Sequence, residues 1–216
     1  MTKLRKLVEV WAECRAVRAA LLPALVRHAI FRLRGKNILT CGKVAIYGLE
    51  NITTGGLLKV GFMNVGFVDR HDRTLLRISG KIRFKGDFVI GKGCRFDIGP
   101  DAVVEFDTGF INPRTTLIIM HGLTVGAGCS IAWGCQFLDE DFHALSYEGR
   151  PAGGDNKIVI GPHVWIGSNV SILKGSSIPE GCVVASGSVV KSRFTEKRAL
   201  IAGNPAKVVR QNVSWS

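Results

Sequence analysis

The sequence contains no Cys-x-x-Cys pair, and its six cysteines are scattered over 216 residues. The spacing typical of a zinc site or a thiol redox motif is therefore absent. Cys94, Cys129, Cys135 and Cys182 each follow an aliphatic residue by four positions, as Cys182 follows Ile178. Because a free buried cysteine behaves as a small apolar residue, we expect these four to fill a core in a reducing cytoplasm.

The N-terminal segment has no apolar run approaching the roughly 20 residues that a transmembrane helix needs. Arg15, Arg18, Arg27 and Arg32 interrupt its aliphatic residues, and no signal-peptide cleavage pattern is present. The pattern predicts two amphipathic helices separated near Pro23. They would pack on the rest of the protein or on another subunit, or attach to an anionic membrane surface, and the sequence leaves these alternatives open.

Acidic residues are few, with 17 Asp and Glu against 29 Lys and Arg, which gives a net charge of +12. Residues 1–36 hold nine basic and two acidic residues, so +7 of this charge lies in the N-terminal segment. The rest of the chain has no nucleic-acid-binding motif and no aromatic platform interleaved with basic residues. We therefore expect no nucleic-acid partner.

A strict six-residue repeat occupies the C-terminal third of the chain. Its aliphatic positions are Ile160, Ile166, Ile172, Ile178, Val184 and Val190. A second, usually small, position follows each by four residues, namely Val164, Val170, Ser176, Cys182 and Ser188, with Phe194 as the exception at the end. Neither a helix nor an isolated strand has this period, so it predicts an architectural repeat. The simplest shape is a three-sided coil with one hexapeptide per side, in which residues 18 apart stack about 4.8 Å apart. A right-handed solenoid or a β-sandwich is the alternative.

Glycines mark the corners of this coil. They follow the aliphatic position, as in Gly161 and Gly167, or precede the small position, as in Gly175, Gly181 and Gly187. We interpret both sets as turn positions, where glycine adopts positive φ at least cost.

Upstream, the repeat is less regular. Residues 37–80 are predicted to form irregular first coils, and the inward positions then include Ile98, Val104 and Phe110. Val125, Ile131 and Phe137 continue the six-residue spacing, which predicts another aliphatic residue six positions later. That position is His143, which lies inside an interruption from Leu138 to Lys157. An insertion of this length in a compact repeat usually serves a site or is mobile.

Three motifs together resemble the hexapeptide-repeat acyltransferase family, in its sugar and polysaccharide O-acetyltransferase branch. They are Asp139-Glu140-Asp141-Phe142-His143, the repeat Ile160-Gly161-Pro162-His163-Val164-Trp165-Ile166-Gly167, and the tail Ala202-Gly203-Asn204-Pro205-Ala206-Lys207. The resemblance implies a mainly β fold, a left-handed parallel β-helix that forms a homotrimer. We expect an amphipathic helical segment over 1–36, the β-helix over 37–200 with a protruding loop at 138–157, and a tail over 201–216.

The resemblance also implies the site residues. His143 would be the general base that removes the acceptor proton, and the backbone N–H of Ser168 would stabilise the oxyanion. Asp139 or Asp141 would orient the imidazole or bind acceptor hydroxyls. Acetyl-CoA would be the donor, without a metal, and its contacts would come from Trp165, Ser168, Ser186, Ala202, Lys207 and Arg210.

The sequence thus predicts an acetyl-CoA-dependent O-acetyltransferase that acts on a sugar hydroxyl of a cell-surface polysaccharide or its precursor. N-acetylation of a nucleotide-linked amino sugar is the alternative, and small acceptors remain open. A zinc lyase on the same coil would need three converging imidazoles, for which only His121, His143 and His163 are candidates. A non-catalytic scaffold would predict a damaged loop, whereas this loop is intact.

Overall fold

A computed structural model describes residues 3–16, 19–63, 65–69, 71–144, 146–148, 150–151 and 155–216. Two helices come first, α1 (Lys3–Ala16) and α2 (Leu21–Leu33). Pro23 lies in the first turn of α2, where its missing N–H costs no helical hydrogen bond, so the break between the helices falls just before it. Arg18 lies outside the described residues.

The strands form three sheets, one on each side of a prism. The nine-stranded sheet A contains β1 (Ile38–Thr40), β4 (Leu58–Phe62), β7 (Phe88–Gly91), β10 (Gly109–Ile111), β13 (Cys129–Ile131), β18 (Trp165–Ile166), β21 (Val183–Val184), β23 (Leu200–Gly203) and β24 (Ala206–Arg210). The seven-stranded sheet B contains β2 (Val44–Tyr47), β5 (Thr74–Ile78), β8 (Arg95–Ile98), β11 (Thr116–Ile119), β14 (Gln136–Leu138), β19 (Ser171–Leu173) and β22 (Val189–Val190). The six-stranded sheet C contains β3 (Ile52–Thr54), β6 (Lys81–Phe84), β9 (Val103–Phe106), β12 (Gly122–Val125), β17 (Ile158–Ile160) and β20 (Ser177–Ile178). A short 3₁₀ turn covers Leu49–Asn51, and β15 (Ser146–Tyr147) pairs with β16 (Arg150–Pro151) in the loop.

Neighbouring strands in each sheet are parallel and come from successive coils, as where Ile166 of β18 pairs with Val184 of β21. The two exceptions among the described strands are the antiparallel pairs β23–β24 and β15–β16. Parallel pairing at this spacing confirms the predicted three-sided coil, and the β-sandwich alternative is wrong because sandwich sheets are antiparallel.

The coils differ in length, and this difference explains the register shifts in the sequence. Ser168 hydrogen-bonds to Ser186, 18 residues on, whereas Gly128 bonds to Thr108, 20 residues back. In the longer coils the inward aliphatic residue after Val104 is Ile111, which is fully buried, and Phe110 is only half-buried. The prediction that Phe110 faces inward was therefore wrong by one residue.

One apolar core runs the length of the prism. Its N-terminal half is rich in phenylalanine, with Phe84 and Phe106 stacked at a centroid distance of 5.3 Å and Phe88 tilted against Phe106 at 4.7 Å. Its C-terminal half is filled by the predicted Ile and Val positions. All six cysteines are buried and free, which confirms that the four in the repeat are core fillers. Burial raises the pKa of the Cys94 thiol to about 12.

Glycine occupies the two sets of corner positions for different physical reasons. Gly175, Gly181 and Gly187 have φ near +70°, as predicted for turn positions. His163 and Asn169 occupy the same position in their coils and adopt φ of 52° and 55° despite their side chains. The prediction of positive φ was wrong for Gly161 and Gly167. Glycine is needed there because a side chain would not fit: a Cβ on Gly167 would lie 2.7 Å from the backbone nitrogen of Ser186.

The helices cover the first coils. Ala24 of α2 is fully buried in a small cluster with Leu39 and Phe62, and Phe31 packs against the main core. His28 Nδ1 lies 2.8 Å from the carbonyl of Ile38, which fixes α2 on β1. Within the described part of the chain, no helix combines the length and hydropathy needed to span a membrane.

Candidate active site

The loop begins at Asp139, directly after β14, where the chain leaves sheet B. The side chain of Asp139 is fully buried, and its carboxylate accepts the backbone N–H groups of Met120 (2.6 Å), His121 (2.8 Å) and Gly122 (2.8 Å). These three residues form the equivalent corner of the preceding coil, between β11 and β12. Asp139 thus ties the start of the loop to the prism.

Glu140 continues this attachment. Its Oε2 lies 2.6 Å from His121 Nε2, and its Oε1 accepts the backbone N–H groups of Asp141 (2.8 Å) and Phe142 (3.2 Å). The bond to His121 and then the bond to the Phe142 N–H hold the pKa of the Glu140 carboxyl below its usual range. Asn156 Nδ2 lies 3.2 Å from the same His121 Nε2, so both ends of the loop meet at His121.

His143 is exposed beyond this turn. Its Nδ1 lies 3.3 Å from the carbonyl oxygen of Asp141, and a carbonyl oxygen can only accept, so the contact requires the proton on Nδ1. In the neutral ring, Nε2 then carries the lone pair. The preceding residue, Phe142, has φ of 59°, a strained value for a bulky side chain that is sustained here by the Glu140 bonds.

Asp141 forms a second tie across coils. Its carboxylate lies 2.6 Å from Lys174 Nζ, at the corner between β19 and β20. The side chains of Asp139 and Asp141 therefore bind the backbone of 120–122 and Lys174 respectively, while the backbone carbonyl of Asp141 contacts His143. Three successive corners of the same prism edge hold the loop.

The second group of sequence-predicted residues lies on sheet A and the corner that follows it. Trp165 on β18 is 43% exposed. Ser168 lies at the corner between β18 and β19, and its backbone N–H donates to Ser186 Oγ at 3.1 Å. Ser186 occupies the same corner one coil later, so it shields the donor that we predict for an oxyanion.

The tail supplies the remaining residues of this group. β23 and β24 form an antiparallel hairpin on the end of sheet A, in which Ala202 pairs with Lys207 and Leu200 pairs with Arg210. The side chains of Lys207 and Arg210 are exposed, and neither has an ion pair within the described residues. They present two cations beside sheet A.

The end of the tail folds back over sheet A. The Trp215 ring stacks on the His163 ring with centroids 4.1 Å apart, and its Nε1–H donates to the His163 carbonyl at 3.0 Å. Trp215 also tilts against Trp165 at 6.3 Å. Sequence reasoning missed this contact because nothing in the residues 210–216 indicates where the tail turns.

The two groups do not meet within one chain. His143 follows the C-terminal end of a sheet B strand, whereas Ser168 precedes the N-terminal end of the next strand in that sheet. They therefore lie at opposite edges of sheet B, separated by strands of three residues, or about 10 Å. One chain brings Trp165, Ser168 and Ser186 together, and keeps His143, Asp139 and Asp141 apart from them.

The three imidazoles of the zinc hypothesis also do not converge. His121 and His143 belong to one edge, while His163 lies at the corner between sheets C and A and stacks on Trp215. Across the described ranges, no group of three His, Cys, Asp or Glu residues is arranged to hold a metal ion. The geometry supplies no three-histidine ligand set.

Sequence reasoning missed the residues that hold the loop. Glu140 was seen only as one carboxylate of three, His121 was considered only as a zinc ligand, and Asn156 and Lys174 had no assigned role. The signal that could have identified them is position along the edge between sheets B and C. His121 lies one coil before the loop and Lys174 one coil after it, while Glu140 and Asn156 lie at the two ends of the loop.

Comparison with known proteins adds a family match and several relatives. The family model described as bacterial transferase hexapeptide (six repeats) matches residues 157–192. The "uncharacterized 24.8 kDa protein in cps region" of Klebsiella pneumoniae is 41% identical over 205 residues, which cover 94% of this chain and 92% of that protein.

Two further relatives carry functional names. The putative lipopolysaccharide biosynthesis O-acetyl transferase WbbJ of Escherichia coli K12 is 30% identical over 63% of this chain and 74% of its own length. The polysialic acid O-acetyltransferase of Neisseria meningitidis is 32% identical over 64% of this chain and 70% of its own length. Among solved structures, the polysialic acid O-acetyltransferase OatWY aligns with a TM-score of 0.44 at 24% identity, covering 83% of this chain and 90% of that one.

Proposed function

Because this chain belongs to the hexapeptide-repeat acyltransferase family, whose fold is a left-handed parallel β-helix, we propose that it transfers the acetyl group of acetyl-CoA to a sugar hydroxyl of a cell-surface polysaccharide or its precursor. Two relatives at or above 30% identity are named as O-acetyltransferases of polysialic acid or of lipopolysaccharide biosynthesis. A third is named for its place in a cps region.

The observation that carries the chemistry is the contact between His143 Nδ1 and the Asp141 carbonyl, which leaves the lone pair of Nε2 on the exposed side of the loop. In the proposed reaction Nε2 removes the proton of the acceptor hydroxyl while that oxygen attacks the thioester carbonyl carbon. The tetrahedral oxyanion collapses, the C–S bond breaks, and the thiol of CoA leaves with the proton held by the imidazole.

The neighbouring residues act as positioning groups in this proposal. Asp139 anchors the loop to the preceding coil, and Asp141 pairs with Lys174 on the following coil. Glu140 fixes the turn that presents His143. Their contacts support a rigid placement of the imidazole, which a general base needs if it is to lie within hydrogen-bond reach of its proton.

The separation of the two groups on opposite edges of sheet B supports a homotrimer with sites between subunits. His143 of one subunit would face Ser168, Trp165 and the tail cations of the next. The backbone N–H of Ser168, which donates to Ser186 Oγ in this structure, would then donate to the oxyanion instead. Sedimentation velocity tests the assembly: we expect a trimer, and a monomer that retains full activity would contradict the shared site.

The acceptor test uses purified protein, acetyl-CoA and a panel of bacterial polysaccharides and nucleotide-linked amino sugars, with release of free thiol as the readout. We expect turnover with a polysaccharide and a product whose acetyl group is removed by mild alkali. An ester is labile under these conditions and an amide is stable. An alkali-stable product would show that the enzyme forms an amide, and would contradict O-acetylation in favour of N-acetylation.

A further inference from the structure

The outward face of α2 carries a stripe of exposed aliphatic residues that the proposed acetyl transfer does not use. Leu22 is 72% exposed, Val26 51%, Ile30 45% and Leu33 89%. At 100° per residue these four positions fall in one sector of the helix. We call them the outer stripe of α2.

The orientation of this stripe is fixed by the opposite face of the same helix. Ala24 is fully buried, Phe31 packs on the main core, and His28 and Arg27 bond to β1 through the Ile38 carbonyl (2.8 Å) and Thr40 Oγ1 (2.8 Å). A helix held this firmly cannot rotate to bury its outer stripe. The stripe is therefore held at the protein surface by the packing of the opposite face of α2.

The first helix also exposes apolar side chains. Val8 of α1 is 55% exposed and Trp11 is 47% exposed, and the Arg15 guanidinium lies 5.4 Å from the centre of the Trp11 ring. Tryptophan is favoured at the boundary between water and lipid because its ring is apolar and its N–H is polar.

The surroundings of the stripe are basic. Arg15, Arg32 and Arg34 are exposed, and residues 1–36 carry a charge of +7. One of the two acidic residues in this segment, Glu13, is neutralised by Lys59 at 2.8 Å. An aliphatic stripe with a cationic rim is complementary to anionic phospholipid. A second copy of this chain would bring the same positive charge to the interface, which opposes that alternative.

We infer that the outer stripe of α2, together with Val8 and Trp11 of α1, docks the protein onto an anionic phospholipid surface. Leu22, Val26, Ile30 and Leu33 enter the boundary between headgroups and acyl chains, while the arginines contact lipid phosphates. This inference rests on the helices alone and is independent of the acetyl-transfer reaction.

The test is vesicle co-sedimentation of the full chain with phosphatidylcholine vesicles that contain or lack phosphatidylglycerol. We expect binding only to the anionic vesicles, and weaker binding as the salt concentration rises. The double variant Val26→Gln/Ile30→Gln should bind about tenfold more weakly or worse, since two aliphatic side chains no longer enter the lipid.

The matched control is Val103→Gln/Val159→Gln, because these valines of sheet C are 54% and 45% exposed. It should bind like the unaltered protein. Should the α2 variant fail to fold, Arg32→Gln/Arg34→Gln tests the same surface through its charge, and should reduce both the binding and its salt dependence.

Three results would overturn the inference. One is equal binding by the α2 variant and the control, and another is equal binding to neutral and anionic vesicles. The third is a smaller sedimentation coefficient for the α2 variant in the absence of lipid, which would assign the stripe to contact between subunits.

Discussion

His121 Nε2 and Glu140 Oε2 lie 2.6 Å apart, and this contact joins two successive coils of the prism at the base of the loop. The other oxygen of Glu140 accepts the N–H groups of Asp141 and Phe142. One carboxylate therefore links a fixed corner of the β-helix to the turn that precedes His143. We expect the position of the His143 imidazole to depend on it.

Glu140→Gln tests this dependence. The amide cannot serve as an anionic acceptor for His121 and two N–H groups, so turnover should fall roughly tenfold through misplacement of the base. The Michaelis constant for acetyl-CoA should stay the same, because the residues that we propose to bind acetyl-CoA lie at the other edge of sheet B. Steady-state kinetics with acetyl-CoA varied gives both values.

Glu180→Gln is the control, since the Glu180 carboxylate is exposed and, like that of Glu140, has a pKa held low mainly by a side-chain hydrogen bond, here to Lys197. Its turnover should not change. Equal effects of the two substitutions, or a raised Michaelis constant for acetyl-CoA in Glu140→Gln alone, would contradict the positioning role of Glu140.

The pH dependence of the loop follows from the same contact. The bond to His121 lowers the folded-state pKa of Glu140 from its ordinary value of 4.5. A lowered pKa means that the stabilising contact is complete above the ordinary value and is lost only as pH falls through the lowered one. Loss of activity near the pKa of imidazole, about 6.5, would therefore come from a histidine and not from release of this carboxylate.

Asp139→Ala should destabilise the fold. It leaves the N–H groups of Met120, His121 and Gly122 without their acceptor, and each buried unsatisfied donor costs about 1–3 kcal/mol. We expect the free energy of unfolding to fall by about 3 kcal/mol or more, measured by urea denaturation. Asp101→Ala, at an exposed turn, should change it by less than about 0.5 kcal/mol. Equal stability of the two variants would argue against the anchor.

Lys207→Gln/Arg210→Gln should raise the Michaelis constant for acetyl-CoA more than it lowers turnover. We propose that these exposed cations bind the phosphates of CoA, which are equally charged in the ground and transition states. An increase of about tenfold is expected. Lys81→Gln/Arg83→Gln removes two exposed cations from sheet C and should have no effect. Unchanged acetyl-CoA kinetics in the tail variant would refute the role of Lys207 and Arg210.

The sequence predicted the three-sided coil because Ile160 to Val190 repeats every six residues and each of those positions packs inward. It did not predict the inward residue Ile111, because the longer coils insert residues at corners, where no apolar pattern constrains their number. Corner length is decided by the backbone turn that joins one sheet to the next, which only the folded structure reveals.

The loop illustrates the same limit for the site. The cluster Asp139 to His143 interrupts the repeat and so could be found, but its three carboxylates look alike in sequence. Asp139 is buried under backbone donors, Glu140 contacts His121, and Asp141 contacts Lys174. Their partners lie 17 to 33 residues away in the chain, so the division of roles depends on how the coils stack.

The substitution His143→Ala separates a catalytic imidazole from a surface one. Removal of a general base should lower turnover by roughly 10²- to 10⁴-fold. The Michaelis constant for acetyl-CoA and the unfolding midpoint should stay near the values of the unaltered protein, because the His143 side chain is exposed and makes its described hydrogen bond only to its own loop. His71→Ala, which also removes an exposed imidazole, should retain full turnover.

The pH dependence of turnover is a second measurement on the His143→Ala variant. With Nε2 of His143 as the base, turnover of the unaltered protein should fall along an acid limb as pH is lowered, since a protonated ring cannot take up the proton of the acceptor hydroxyl. The variant should lose that limb, and added imidazole should restore part of its activity by replacing the missing base. If the variant keeps the limb at undiminished turnover, another group is the base, and the contact between His143 Nδ1 and the Asp141 carbonyl has no catalytic consequence.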